Sequence, residues 1–503
     1  MAPTTLPPLD QVDPVEAWQP WEPSAKDPWN LQWAGHLYRR AAFGASPAEM
    51  NEAAARGLPA TLDQLIKGTP DADNIDQMLV TVGAQAADRS NPFELRAWWL
   101  YAMLNSGRPV QEKMVLFWHN HFATSINKVQ RTTWMFNQNR LLRKYALGKF
   151  GPFLHDMSRD VAMIVWLDNN SNLKAHPNEN YAREVMELFS LGVGHYTEKD
   201  IREAARAFTG WHTNGGEYDF NARFHDDGEK TVLGQTGAWN GDEVLDILLK
   251  RSDCAEFLTR KLYRYFVSEQ HDPPAKLIAP LAEAFRKTDY DIADLVRRIL
   301  SSKHFFSAYA YRQKIKCPVE YVLGAVKTIY DQKSAPEGKP PPTLPLVSRL
   351  EVMGQQLFAP PNVKGWPGGQ SWLNTSTVLA RVNFAQALVM GTLWSDTSRG
   401  ETPNDVSFQP PGIPGQPDVK TPEEPPPEEY EDTARLIRQA KATKADEVVR
   451  VLIDALLPGG VSDSARTKLT TFVADGKPTG DKLDRRTREA AHAILSMPEY
   501  QLA

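Results

Sequence analysis

Asn178-Glu179-Asn180-Tyr181-Ala182-Arg183-Glu184-Val185-Met186-Glu187-Leu188-Phe189 is the stretch on which the reading of the fold turns. Its apolar and polar side chains recur at spacings of three and four, the period of an α-helix. Asn180, Glu184 and Glu187 fall on one face, while Glu179 and Arg183 share another and Arg183 also reaches Glu187 four residues on. The apolar stripe of Val185, Leu188 and Phe189 is thin beside so many polar groups. The same helical spacing returns in Phe93–Asn105, Val110–His121, Asp200–Phe208 and Ala255–Val267. From Trp33 to about Tyr330 the chain therefore reads as mainly α. Helix starts are marked by Ser46-Pro47-Ala48-Glu49, a capping box with Pro at the first helical position, and by Thr197-Glu198-Lys199-Asp200.

Outward from this body the texture changes. Residues 1–30 carry Pro and three tryptophans (Trp18, Trp21, Trp29) with little periodicity, which predicts an extended arm whose indoles pack on the body. Gly210–Gly237 is rich in Gly, Asn and aromatics and alternates weakly, which suits a small β-hairpin or structured loop. Ser334–Pro345 reads as a Pro-rich loop. Residues 401–432 form a longer linker, with nine prolines between Pro403 and Pro427 and an acidic end. The expected organisation is an arm (1–30), a helical body (31–400), the linker (401–432) and a small helical C-terminal unit (433–503).

Composition sets outer bounds. The chain has 503 residues, 42% apolar and 24% charged, as in ordinary globular proteins. Its net charge of -5, with no basic stripe interleaved with aromatics, argues against nucleic-acid binding. With only Cys254 and Cys317, neither a disulfide scaffold nor a Cys-rich metal centre is available. No apolar run of about 18 residues predicts a transmembrane helix. Met1–Pro8 lacks a basic region followed by an apolar stretch, so the sequence as given reads as cytoplasmic, or as exported with a leader removed.

Seven of the eleven histidines lie between His119 and His225, among the carboxylates of the opening stretch. Imidazole and carboxylate are the main side chains for metal binding and for proton transfer near neutral pH. His119 and His121 close an apolar helix in Phe117-Trp118-His119-Asn120-His121-Phe122. Two positions apart, they point in roughly opposite directions unless the helix ends between them. Asp168, in Leu167-Asp168-Asn169, ends another apolar run and reads equally as a capping turn. His225 and Lys230 sit in a Gly-bounded loop with Asp226. Glu184 and Glu187 on one helical turn are suited to hold a divalent metal or to share a proton. Trp211, Trp366 and Trp372 flank Gly-rich or Pro-rich loops and are suited to line a cleft. A serine-hydrolase elbow, a phosphate loop and a dinucleotide fingerprint are all missing from the sequence.

These pieces, in order, resemble a bacterial family labelled domain of unknown function 1800. The resemblance rests on His36-Leu37-Tyr38-Arg39-Arg40-Ala41-Ala42-Phe43-Gly44, Phe117–Phe122, Leu167-Asp168-Asn169, the core from Asn178 through Val193, Thr209-Gly210-Trp211, His225-Asp226 and the ending Ser496–Gln501. It implies a bacterial protein, in a family many of whose members look exported. It also implies a partnership with a neighbouring sulfatase-like or phosphatase-like protein. Phe189 departs from the family pattern, where many relatives carry His.

The expectation drawn from the residues is a metal-dependent enzyme, more hydrolytic than redox. His119, His121, Asp168, Glu184 and His225 would hold a divalent metal, Glu187 or Glu179 would act as general base, and Arg183 and Lys230 would orient an anionic substrate. The same ligands with iron or copper would give a redox enzyme. The competing expectation is a non-catalytic partner protein in which Arg183 pairs with the glutamates and backbone groups cap the histidine rings.

Overall fold

Local signals set the helix boundaries. Ser46 and Glu49 cap Pro47–Arg56 reciprocally, and Thr197 and Asp200 do the same for Glu198–Ala207. Proline occupies the first turn of Pro92–Asn105, Pro109–His121 and Pro318–Ile329, where its missing N–H costs nothing. The computed structural model describes residues 6–330, 343–393 and 433–503. Within them the architecture is mainly α, with a small β insertion. Trp211–Asn214 pairs antiparallel with Glu217–Phe220, and Lys230–Val232 with Gln235–Gly237, so the Gly210–Gly237 segment holds two short hairpins. The 401–432 linker and most of Ser334–Pro345 lie outside the described residues. Pro345, at the end of the latter, belongs to the first turn of the helix Leu344–Val352. No helix among the described residues is long and apolar enough to cross a membrane.

The N-terminal tryptophans pack on the body. Trp18 donates its indole N–H to Leu277 O, Trp29 donates to Ala53 O, and Trp21 stacks on Phe306. At the other end, Thr433–Gln439, Ala445–Leu456, Asp463–Ala474 and Asp481–Ser496 form the C-terminal helices. Tyr321 OH donates to the carbonyls of Arg381 and Leu495, tying the body to the last of them. One apolar core runs through both, from Ala17 to Tyr500.

That core encloses charge. Lys113 of Pro109–His121 and Lys314 both donate to Glu320 Oε1, while Glu320 Oε2 accepts the Cys317 N–H at the start of Pro318–Ile329. The Glu320 and Lys113 side chains are 3% and 0% exposed, so this is a buried triad. Lys113 lies 4.9 Å from the Phe43 ring centroid and Lys314 4.6 Å from that of Tyr265, and these aromatic faces offset part of the lost hydration. Burial pushes the Glu320 carboxyl up, but Lys113 and Lys314 override it and hold the group well below the carboxylate range.

The opening stretch departs from expectation in one respect. It is not a single regular helix: α-geometry runs from Glu179 to Glu184, and a wider π-helical turn runs from Val185 to Ser190. The Leu191 N–H reaches Met186 O, five residues back. The Ser190 hydroxyl donates to Val185 O and supports the widened turn.

Removing the shared negative charge leaves two buried ammonium groups without a counter-ion. Glu320→Gln is expected to cost about 3–5 kcal/mol in urea unfolding at pH 7. The folded carboxyl titrates below the unfolded one, so its contribution is complete above about pH 4.5 and declines as acid is added below that. The variant should show a flatter acid limb.

Candidate functional site

Pro109–His121 connects the core to the polar region. Lys113 sits in the triad, and two turns on the helix delivers His119, Asn120 and His121 to different neighbours. Asn120 Oδ1 accepts the Trp366 N–H at 2.6 Å. Gly365 has φ +78°, and a Cβ there would lie 2.2 Å from Asn120 Oδ1, so only glycine lets the loop seat this closely. The seated loop brings Lys364 to 4.0 Å from Glu187. It also places Trp366, with Trp166, Lys128 and Gln356, around an open cleft of about 570 Å³. The Trp166 indole N–H is buried with no acceptor among the described residues.

Two carboxylates face this loop. Tyr196 donates its hydroxyl to Glu187 Oε2 at 2.7 Å, fixing that side chain. Glu184, one turn earlier and half-buried, has its carboxyl pushed up by burial and then by the charge of Glu187, with Lys364 and Arg183 pulling it back. Asn180 on the same face donates to Leu167 O at 3.0 Å and anchors the helix beside the Asp168 turn.

The remaining expected site residues have other partners. Arg183 binds Glu198 through both terminal nitrogens and pairs with Glu179 at 3.1 Å, a partly exposed ion ladder. Asp168, in the left-handed region at φ +57°, is exposed and pairs with Lys128 at 2.7 Å. His225 is buried. Its Nδ1 lies 2.8 Å from Thr209 O, so that nitrogen carries the hydrogen and donates. Lys230 donates to the carbonyls of Asp226 and Gly228 in its own loop, and Asp226 binds Arg206. His119 lies among Trp99, Phe358 and Trp366, and burial lowers it to about 3. The five side chains expected to share a metal are not drawn to one point: among the described residues, no three His, Cys, Asp or Glu are grouped to hold an ion. Their spacing along the chain gave no information on this, because the two histidines of Pro109–His121 point apart and Asp168, Glu184 and His225 lie on three other segments.

His121 has the most instructive surroundings. Its Nε2 is 3.2 Å from Phe189 O at the π-turn, and Nδ1 is 2.7 Å from Lys261 Nζ. The carbonyl can only accept, so Nε2 carries the hydrogen and Nδ1 accepts from the lysine. Phe117, Phe122, Phe150, Phe189 and Phe257 surround the ring. No carboxylate among the described residues pairs with Lys261, and burial lowers its ammonium to about 7. Sequence reasoning missed Lys261, which reads as one more cation on an amphipathic helix.

A family model described as "Protein of unknown function (DUF1800)" matches residues 36–502. The chain belongs to that family. No curated protein and no solved structure matches this DUF1800 chain.

The Lys261 geometry has a measurable consequence. The unfolded amine titrates near 10.5 and the folded one near 7, so between these values the unfolded state holds the extra proton and stability rises with pH. Urea unfolding from pH 7 to 10.5 should show this rise, and Lys261→Met should lose it.

Proposed function

We propose that this protein is a hydrolase whose proton-transferring groups are Glu184 and Glu187, which face the loop that carries Lys364. The observation that carries this reading is the asymmetry of the pair. Glu187 is fixed by Tyr196, while Glu184 is half-buried with its carboxyl raised. Two carboxyls in unlike environments are suited to divide acid and base roles: Glu184 would donate a proton to a leaving group, and Glu187 would accept one from water. Lys364 would balance the charge that develops between them. The same two carboxylates are the groups that would hold a divalent metal ion, which when bound would lower the pKa of a coordinated water. His121 would act indirectly, through the Phe189 carbonyl of the π-turn, a type of distortion that recurs at functional sites.

A second reading has an observation of its own. Arg183 is saturated by Glu179 and Glu198, and backbone carbonyls cap His121 and His225, as a purely structural network requires. Under that reading the protein would serve a sulfatase-like or phosphatase-like partner without chemistry of its own.

Chromogenic ester, phosphate and glycoside substrates separate the two. Hydrolysis of one class is expected, with Glu184→Gln lowering kcat by roughly 100-fold or more and removing the alkaline limb of the pH profile while leaving the unfolding midpoint unchanged. Activity undiminished in Glu184→Gln would remove that glutamate from the chemistry, and no hydrolysis of any class would favour the partner role. Elemental analysis of the same two samples shows whether a metal leaves with Glu184.

A further inference from the structure

A second cluster of polar groups lies away from this site, where the helix Leu31–Ala41 meets Pro318–Ile329 and the turn after Ala445–Leu456. It encloses a chamber of about 30 Å³ lined by Tyr38, Arg39, Gly44, Lys316, Glu320 and Tyr500, among others. One ordered water needs roughly 10–15 Å³, so the chamber admits a small ion or the end of a larger molecule. Its walls are close-set: a Cβ on Gly35 would lie 2.5 Å from the Pro458 ring at Cγ, and one on Gly44 would lie 2.9 Å from Gly324 Cα.

Cations outnumber carboxylates in the lining of the chamber. Lys316 is 4% exposed and forms no ion pair with a described carboxylate, and its ammonium lies 3.5 Å from the Tyr500 ring centroid. Arg39 Nη2 is buried with no hydrogen-bond partner among the described residues. Glu320 is the one carboxylate in the lining, and both its oxygens are already taken by Lys113, Lys314 and the Cys317 N–H. Nearby, Arg40 spends one terminal nitrogen on the carbonyls of Val267 and Ala310, while its Nε and Nη1 are buried without partners among the described residues. A buried donor left unmade costs free energy, and a buried unpaired charge costs more. Two cations that line one chamber, one of them with a free donor, form a receptor for negative charge.

We propose that this chamber is an anion-binding site, in which Lys316 and Arg39 clasp a small oxyanion, either free or as the terminal group of a larger ligand. Empty, the cations oppose one another: burial, and then Arg39, push the Lys316 ammonium well down. An anion between them restores both. The site is independent of the Glu184–Glu187 chemistry, because neither glutamate lines it.

Isothermal titration of the full chain with inorganic phosphate, at ionic strength matched with sodium chloride, tests the proposal. One saturable site is expected, with Lys316→Met and Arg39→Met each weakening it by about tenfold or more. Because Lys316 has no carboxylate partner, Lys316→Met should not lower the unfolding midpoint in phosphate-free buffer. Should that variant fail to fold, Arg39→Met carries the same readout. Phenyl phosphate distinguishes the two sources: competition by it indicates the end of a larger ligand, and phosphate binding without competition indicates a free ion. No saturable heat with phosphate, or equal affinity in wild type and variants, overturns the proposal.

Discussion

The buried ion triad of Lys113, Glu320 and Lys314 is the constraint on which the rest of the structure depends. A carboxylate inside an apolar core is tolerated only when every oxygen is engaged, and Glu320 meets that requirement with two lysines and one backbone amide. Meeting it sets the relation between Pro109–His121 and Pro318–Ile329, elements whose paired residues stand 207 positions apart. Once the first helix is held at Lys113, its far end is held too. His119, Asn120 and His121 can then meet only the elements that the triad has already placed.

The polar region follows from that placement. Asn120 receives the Gly365–Trp366 backbone, the loop carries Lys364 to Glu187, and the π-turn presents Phe189 O to His121. A regular α-helix over Val185–Ser190 would place these groups differently, because a π-turn inserts one residue and rotates everything beyond it. The widened turn therefore sets how Glu187 stands relative to Glu184, which ends the α-helical segment before it. The triad also has an electrostatic consequence at its other end. Both oxygens of Glu320 are engaged by Lys113, Lys314 and the Cys317 N–H, so Lys316 and Arg39 make no ion pair with it across the chamber beside it.

Much of the fold was legible in the residues. The helical period of Phe93–Asn105 and Val110–His121, the capping boxes at Ser46 and Thr197, and the turn-rich hairpin segment all appear near their expected places. The opposed directions of His119 and His121 were readable from helical geometry alone, and Trp366 does line a cleft. The candidate site was legible only in part. Glu184 and Glu187 share a region as their spacing implied, and Arg183 pairs with Glu179 as a ladder of charges four apart should. Lys261 carried no signal, since a lysine on an amphipathic helix looks the same whether it meets water or a histidine.

The sequence by itself determined the helical class and most helix starts, because hydrophobic period and helix capping act between residues three or four apart. Tertiary structure alone decided which polar groups meet. The His121–Lys261 contact spans 140 residues and the Asn120–Trp366 contact 246. Such pairings depend on how whole helices pack, and on which charges find a partner once water is excluded. No spacing along the chain encodes either.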